Sequence, residues 1–297
     1  MRLPPRQAKA RRTAAVDRTQ TLLLAPGLVL LFGVFMAPLC ITLRYSLNRF
    51  IAGGSQETAF VLDNYARFIL DPYYAAILLR TLALGSGVAL VTLLLGYPLA
   101  YAIARGRSRW RALLIAATLI PLMTNVVVRS YGWMILLSNS GVIEDALAEL
   151  GLPRVKLLYT MTGVVLSLTQ VMMPFMVLTL VGVLQNISGD LEDAACGLGA
   201  GRWRVFRDVL LPLSLPGIVA GSFLVFALTI SAFATPRLVG GASVEVMATM
   251  IYDQVLNALN WPFASATSII LLVIVLALMI VQGRLLRTRA DTPKPAA

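Results

Sequence analysis

The chain has 297 residues, 58% of them hydrophobic and only 13% charged, with a net charge of +11, and its mean hydropathy is +0.81. That mixture lies outside the range of water-soluble globular domains and marks an integral membrane protein. Histidine is absent, which excludes imidazole catalysis and His-ligated metal sites, and the two cysteines, Cys40 and Cys196, offer neither a disulfide framework nor metal-ligand spacing.

Six apolar runs reach the roughly 20 residues a helix needs to cross a hydrocarbon core about 30 Å thick. They are Leu22 to Leu43, Thr81 to Ala104, Ala112 to Leu137, Leu157 to Ile187, Leu211 to Pro236 and Ala264 to Gly283. The runs are continuous rather than short and alternating, so the expected fold class is an all-α membrane protein with six transmembrane helices, each satisfying its own backbone groups. The first run is too long for a signal-peptide core, and Ala25-Pro26 and Ala37-Pro38 make poor cleavage contexts, so it is expected to remain as a span.

Lys and Arg are retained on the cytoplasmic side of short loops. The tail to Gln20, residues 105 to 111, residues 188 to 208 and the tail after Gly283 hold 17 of the 25 basic residues and 6 of the 14 acids. The alternate segments hold 8 of each, so one side sums to +11 and the other to zero. Both termini are therefore expected in the cytoplasm. The domain organisation that follows is a basic tail over 1–20, a transmembrane domain over 21–286 and a second tail over 287–297. The basic tails suit anionic membrane lipid, and no aromatic-interleaved basic domain suggests nucleic acid.

Within the third run, Arg129 is the only base well inside apolar surroundings, with Asn125, Ser130, Tyr131 and Trp133 nearby. A base snorkelling to the outer interface within an aromatic belt accounts for it. In the fourth run Gln170 sits near Thr169, Met172, Met173 and Pro174, where a proline kink is expected. Gly96, Pro98, Pro121 and Gly217 likewise read as packing and kink positions.

Residues 188 to 212 are a polar, basic interruption between the fourth and fifth runs. They read as two short helices split by Gly199-Ala200-Gly201. Ser188 or Asp190 suits the first cap, and Glu192 and Asp193 fall in the opening turn, where the helix dipole favours acids. Ala194, Ala195 and Leu198 form a small apolar face; Trp203, Phe206 and Leu210 form a stripe on the second helix, and Pro212 opens the fifth run. Physical chemistry alone allows a docking element with a hinge or a hairpin lying on the membrane surface. After the fifth run, Glu245 and Asp253 lie in the outer loop with Tyr252 and Trp261; acids near aromatics suit an ammonium, as does an ordinary solvated loop.

The spacing of Asp193-Ala194-Ala195, Gly199, Val209, Leu211 and Pro212 resembles the EAA motif of binding-protein-dependent ABC import permeases: E-A-A, three residues, G, nine residues, I, one residue, L-P. Asp193 departs from the usual glutamate by one methylene, and Glu192 is the alternative acid beside it. "GYPLAYAIAR" (96 to 105), "VVVRSYGWMILLSNSGVI" (126 to 143), "PLSLPGIVAGSFLVFAL" (212 to 228) and "FATPRLVGG" (233 to 241) are similar to the spermidine/putrescine branch, its first permease subunit.

The resemblance implies a type I ABC importer permease fold in the inner (plasma) membrane. It further implies that the hairpin docks on a cytoplasmic ATPase through Glu192, Asp193, Ala194, Ala195, Gly199, Trp203, Phe206 and Pro212. Implied partners are an ATPase dimer, a second homologous permease and an extracytoplasmic solute-binding protein. The family's pathway runs between two permeases along spans three to six, which makes Arg129, Tyr131, Trp133, Gln170, Glu245, Tyr252 and Asp253 candidate pathway residues. The implied solute is a polyamine, with opines, phosphonates or iron as alternatives within the class. No P-loop G-x-x-x-x-G-K-[ST] occurs, so ATP and Mg2+ are expected in the partner ATPase, with no cofactor and no enzymatic activity in this chain. A secondary transporter would want inverted repeats and an embedded coupling acid, and neither is visible.

Overall fold

The computed structural model describes residues 26 to 290 apart from 28, 107, 140, 150, 152 and 154. The N-terminal tail, the start of the first expected span and most of the second tail lie outside the described residues.

The first helix, α1 (Val29–Ser46), is apolar and almost uncovered: Val29, Leu30, Leu31 and Phe32 are all exposed. Its C-terminal end is tied to a small cap. Arg44 lies 4.2 Å from the Phe60 ring centroid and donates to Asn48 Oδ1 at 2.6 Å and Ala59 O at 3.0 Å. Buried Asn64 donates to the carbonyls of Ser46 and Asn48. These bonds hold an antiparallel pair, β1 (Arg49–Phe50) and β2 (Gln56–Glu57), against α2 (Asp63–Leu70).

Asp71 then starts a new helix by accepting from Tyr73 N at 2.9 Å, with Pro72 at the first helical position, where its missing N–H is harmless. The result, α3 (Pro72–Arg105), has 34 residues. It begins nine residues before the expected Thr81, because the cap and not the hydropathy sets its start.

The third expected span is not one helix. It divides into α4 (Ser108–Leu119), a 3-10 turn over Ile120–Met123, and α5 (Val126–Leu136), which meet at a bend of 99°. Pro121 removes a backbone donor at the break, and Asn125 caps a fresh helix by accepting from Val127 N at 2.8 Å. Pro98 and Pro174, by contrast, sit inside helices that continue past them. The described residues thus hold five helices long and apolar enough to cross a membrane, or six with the bent pair counted as one.

After α6 (Val142–Glu149) come α7 (Met161–Gln185), α8 (Gly189–Gly197) and α9 (Arg202–Val205). Thr160 caps α7 by accepting from Gly163 N, which moves the start from the expected Leu157. A π turn over Phe206–Leu210 joins α9 to α10 (Leu211–Ile230) without a break. The fifth span therefore ends six residues before the expected Pro236, which instead opens a second π turn over Pro236–Gly240. Two further helices, α11 (Met247–Leu256) and α12 (Trp261–Ala290), complete the chain. Helix α12 outruns the expected Gly283, so residues 287 to 290 of the expected tail are helical.

The core is the triple packing of α3, α7 and α10, with Leu84, Val88, Ile103, Leu168, Met176, Leu180, Leu184 and Val225 all buried. Hydrocarbon gives helices no hydrophobic reason to associate, so close backbone approach must do it. A Cβ on Gly85 would lie 2.7 Å from Ile230 Cγ2, and one on Gly217 would lie 2.8 Å from Val183 Cγ2. A second cluster, at the N-terminal end of α3, joins Phe68, Tyr74, Ile77, Met247, Met250 and Phe263. There Thr81 Oγ1 accepts from Met247 N at 2.9 Å, so α11 is packed onto α3.

Gly85→Val forces α3 and α10 apart and is expected to destabilise the protein by about 1–3 kcal/mol. Gly182→Ala, whose added Cβ meets nothing within 4 Å, serves as the neutral comparison. Thermal midpoints of the detergent-solubilised protein check this, and equal midpoints for Gly85→Val and the parent would refute the close-packing account.

Candidate functional site

The polar interruption folds as the sequence suggests up to its second helix. Ser188 caps α8 by accepting from Asp190 N at 3.2 Å, and Asp190 and Glu192 lie in the first turn. Gly199 has φ +83°, a left-handed conformation that a Cβ would strain, and its surroundings are open. Gly199 N donates to Cys196 O at 2.9 Å and Ala200 N to Ala195 O at 3.0 Å, closing the turn.

The second helix differs from the expectation of a piece ending at Leu210. It runs through the π turn into span five, with Leu211 N donating five residues back to Phe206 O. Pro212 lies in the first turn of α10 and offers no donor of its own, and the wider turn just before it carries the helix past that position.

The two faces of the hairpin are unlike. Outward, Ala194 and Arg204 are exposed, and Leu198 and Trp203 are 90% and 73% exposed. Inward, Phe206 packs between Trp203 and Tyr97, each ring centroid 5.3 Å away, and Tyr97 shares a 2.9 Å hydrogen bond with Ser214. Between the hairpin and α3 runs an apolar groove of about 750 Å³, bordered by Leu94, Pro98, Trp203 and Ile218.

Glu192 and Asp193 diverge. Glu192 turns inward, where Oε2 accepts from the Tyr101 hydroxyl at 2.8 Å and Oε1 accepts from Arg105 Nε at 2.7 Å and lies in an ion pair 2.6 Å from Nη2. The same Nη2 donates to Ile187 O at 2.9 Å. Asp193 stays exposed on the rim of the groove. Sequence reasoning counts Arg105 only as a topogenic charge and omits Tyr101. The available signal is their four-residue spacing at the C-terminal end of α3, which puts both on one face.

The pathway candidates do not converge. Arg129 Nη1 donates to Pro121 O at 2.6 Å, a carbonyl at the α4–α5 break that also accepts from Thr124 N at 3.3 Å. Trp133 Nε1 donates to Gln170 Oε1 at 3.4 Å and joins α5 to α7, while Tyr131 is half exposed and apart from them. The segment expected as an outer loop is not a plain solvated loop. Glu245 Oε2 accepts from the Tyr73 hydroxyl at 2.6 Å. Asp253 Oδ2 accepts from Arg237 Nη1 at 2.9 Å and Oδ1 from Asn257 Nδ2 at 2.7 Å. Tyr252 stacks on Phe233 with centroids 4.3 Å apart. Both acids already have partners, and sequence reasoning missed Tyr73 and Arg237, which come from remote or cationic positions. Among the described residues no group of His, Cys, Asp and Glu could hold a metal.

The family described as "Binding-protein-dependent transport system inner membrane component" matches residues 93–290. The chain belongs to that family. The spermidine/putrescine transport system permease protein PotB of Escherichia coli strain K12 is 35% identical over 230 residues, 77% of this chain and 83% of that protein. The molybdenum transport system permease protein ModB of Mycobacterium bovis is 31% identical over 212 residues, 71% of this chain and 79% of that one. A crystal structure of a bacterial alginate ABC transporter, in complex with an alginate pentasaccharide-bound periplasmic protein, aligns with TM-score 0.76 and 20% identity. The alignment covers 95% of this chain and 99% of that one, and the two share a fold. The permease is a multi-pass inner-membrane component of a binding-protein-dependent import system.

Arg237→Gln and Asp253→Asn break the same partly exposed pair, whose worth is about 1 kcal/mol or less. Each is expected to lower solute uptake up to about five-fold, and by similar amounts. A far larger loss for Asp253→Asn than for Arg237→Gln in the same uptake assay would mean that Asp253 meets the solute directly.

Proposed function

We propose that the chain is one permease of an ATP-driven polyamine importer, paired with a second homologous permease, two cytoplasmic ATPases and an extracytoplasmic solute-binding protein. The observation that carries the coupling half of this reading is the hairpin itself. Its outward face presents Ala194 and Leu198 uncovered, Trp203 stands exposed at the edge of the groove, and its inward side is bonded to α3. An apolar, small-residue helix face ending in a glycine turn suits burial in a groove on a protein partner. Asp193 is the carboxylate free to meet that partner, because Glu192 is engaged internally.

Polyamine as the solute is supported by the relatives that transport spermidine and putrescine. The chain's own acids add little selectivity, since Glu245 and Asp253 are occupied. Discrimination therefore rests chiefly with the binding protein and the partner permease. ATP and Mg2+ belong to the ATPases in this reading. Cytoplasmic placement of both tails and of the 188–212 hairpin follows from the charge asymmetry.

Two measurements test the reading. In the complex reconstituted with its ATPase, binding protein and partner permease, spermidine is expected to stimulate ATP hydrolysis and accumulate. Gly199→Asp, strained by its left-handed backbone, is expected to reduce hydrolysis to the unstimulated rate without removing the chain from the membrane. Stimulated hydrolysis at the parent rate would end the docking assignment, and uptake of an anion but no polyamine would end the solute assignment. In a background lacking Cys40 and Cys196, a cysteine at Ser243 should react with a membrane-impermeant reagent applied to sealed cells, and one at Ser188 should not. Reaction at position 188 would overturn the orientation.

A further inference from the structure

We propose that Arg105 is a positioning residue that carries movement of the cytoplasmic hairpin into α3 through Glu192. This rests on the coupling role given to the hairpin above and names the joint by which that role reaches the membrane core.

The geometry is that of a three-way fastening. Arg105 is the last residue of α3, and its fork reaches two other elements at once: Nε and Nη2 hold Glu192 Oε1 on α8, and Nη2 also holds the Ile187 carbonyl that follows α7. Tyr101, one turn earlier on α3, holds the second carboxylate oxygen. Both oxygens of Glu192 are thereby bonded to α3, so the carboxylate can neither rotate nor slide without breaking a charge-assisted bond. The pair is largely shielded, with side chains 25% and 14% exposed, so solvent screens it less than an open surface pair.

What the joint connects gives it a use beyond holding a loop in place. Helix α8 carries the outward apolar face, and α3 packs against both α7 and α10 in the core. The covalent route from α8 to α3 runs backward along the whole of α7 and the broken third span. The Glu192–Arg105 contact bypasses that route. A push on α8 thus arrives at the cytoplasmic end of α3 directly. Lysine could not replace arginine here, because one ammonium has no fork to grip a carboxylate edge and a carbonyl together.

The test uses the complete complex in lipid nanodiscs and proteoliposomes, with spermidine as the probe. Arg105→Gln leaves Arg107, Arg109 and Arg111 in the same loop, so the topogenic charge survives. Uptake per ATP hydrolysed is expected to fall about five-fold or more, a typical range for lost coupling between sites, while hydrolysis itself continues. Spin labels at Gly189, the first residue of α8, where an added Cβ meets nothing within 4 Å, and at exposed Leu90, in a background lacking Cys40 and Cys196, should show a narrow distance distribution in the parent and a broad one in Arg105→Gln. Reversing the pair, Arg105→Glu with Glu192→Arg, should narrow the distribution again and recover at least half the uptake per ATP.

An unchanged distribution, or unchanged uptake per ATP, in Arg105→Gln overturns the proposal. So does a loss that the reversed pair does not recover, since Arg105 would then act through some other contact. Where Arg105→Gln fails to accumulate, Tyr101→Phe removes a single hydroxyl bond and carries the same comparison, with an intermediate broadening expected and no broadening overturning it. A parent complex that moves no spermidine counts against the proposed function, and the label distances still decide the joint.

Discussion

Lipid tails are as apolar as leucine, so the helices of this permease gain nothing from hiding greasy side chains from one another. What they gain is contact, and contact between helix backbones is limited by the side chains between them. At Gly85 against Ile230, and at Gly217 against Val183, that limit is removed. Helices α3 and α10 meet at the first, α10 and α7 at the second. The 188–212 hairpin is strung between the ends of α7 and α10, and Arg105 ends α3. The position of the hairpin therefore depends on helix contacts that these missing β-carbons permit.

The span count and the helix–turn–helix over 188 to 212 were legible in the sequence because long apolar runs and glycine turns are local signals. Where reading failed, the deciding groups were non-local or subtle. Hydropathy ran straight through residues 112 to 137, yet a single proline donor lost at Pro121 and a single Asn125 cap were enough to bend the chain. Pro98 and Pro174 carry the same residue type inside helices that continue past them, so proline alone could not have marked the break. Glu192 and Asp193 are adjacent and chemically alike in the sequence. Only the turn of the helix shows that one faces Tyr101 and Arg105 while the other faces out.

The segment between α10 and α12 corrects the simplest picture of cation recognition. Acids beside aromatics suggest an ammonium site, but Arg237 occupies Asp253 and Tyr73 occupies Glu245. A buried or half-buried carboxylate seeks a partner wherever the fold supplies one, and here the fold supplies both. The same bonds dock α11 against α3 and brace the second π turn, so these acids organise the exit of span five.

The uninterrupted helix from Arg202 to Ile230 has a mechanical property of its own. Its 29 residues reach about 43 Å at 1.5 Å per residue. Pivoting by about 10° around its midpoint sweeps each tip through roughly 4 Å, close to half the 8–10 Å that separates packed helix axes. A rod of this kind turns a slight rotation at one end into a displacement at the other large enough to pull a helix away from its neighbour. The π turn at Phe206–Leu210 is the place along that rod where the bonding register widens by one residue.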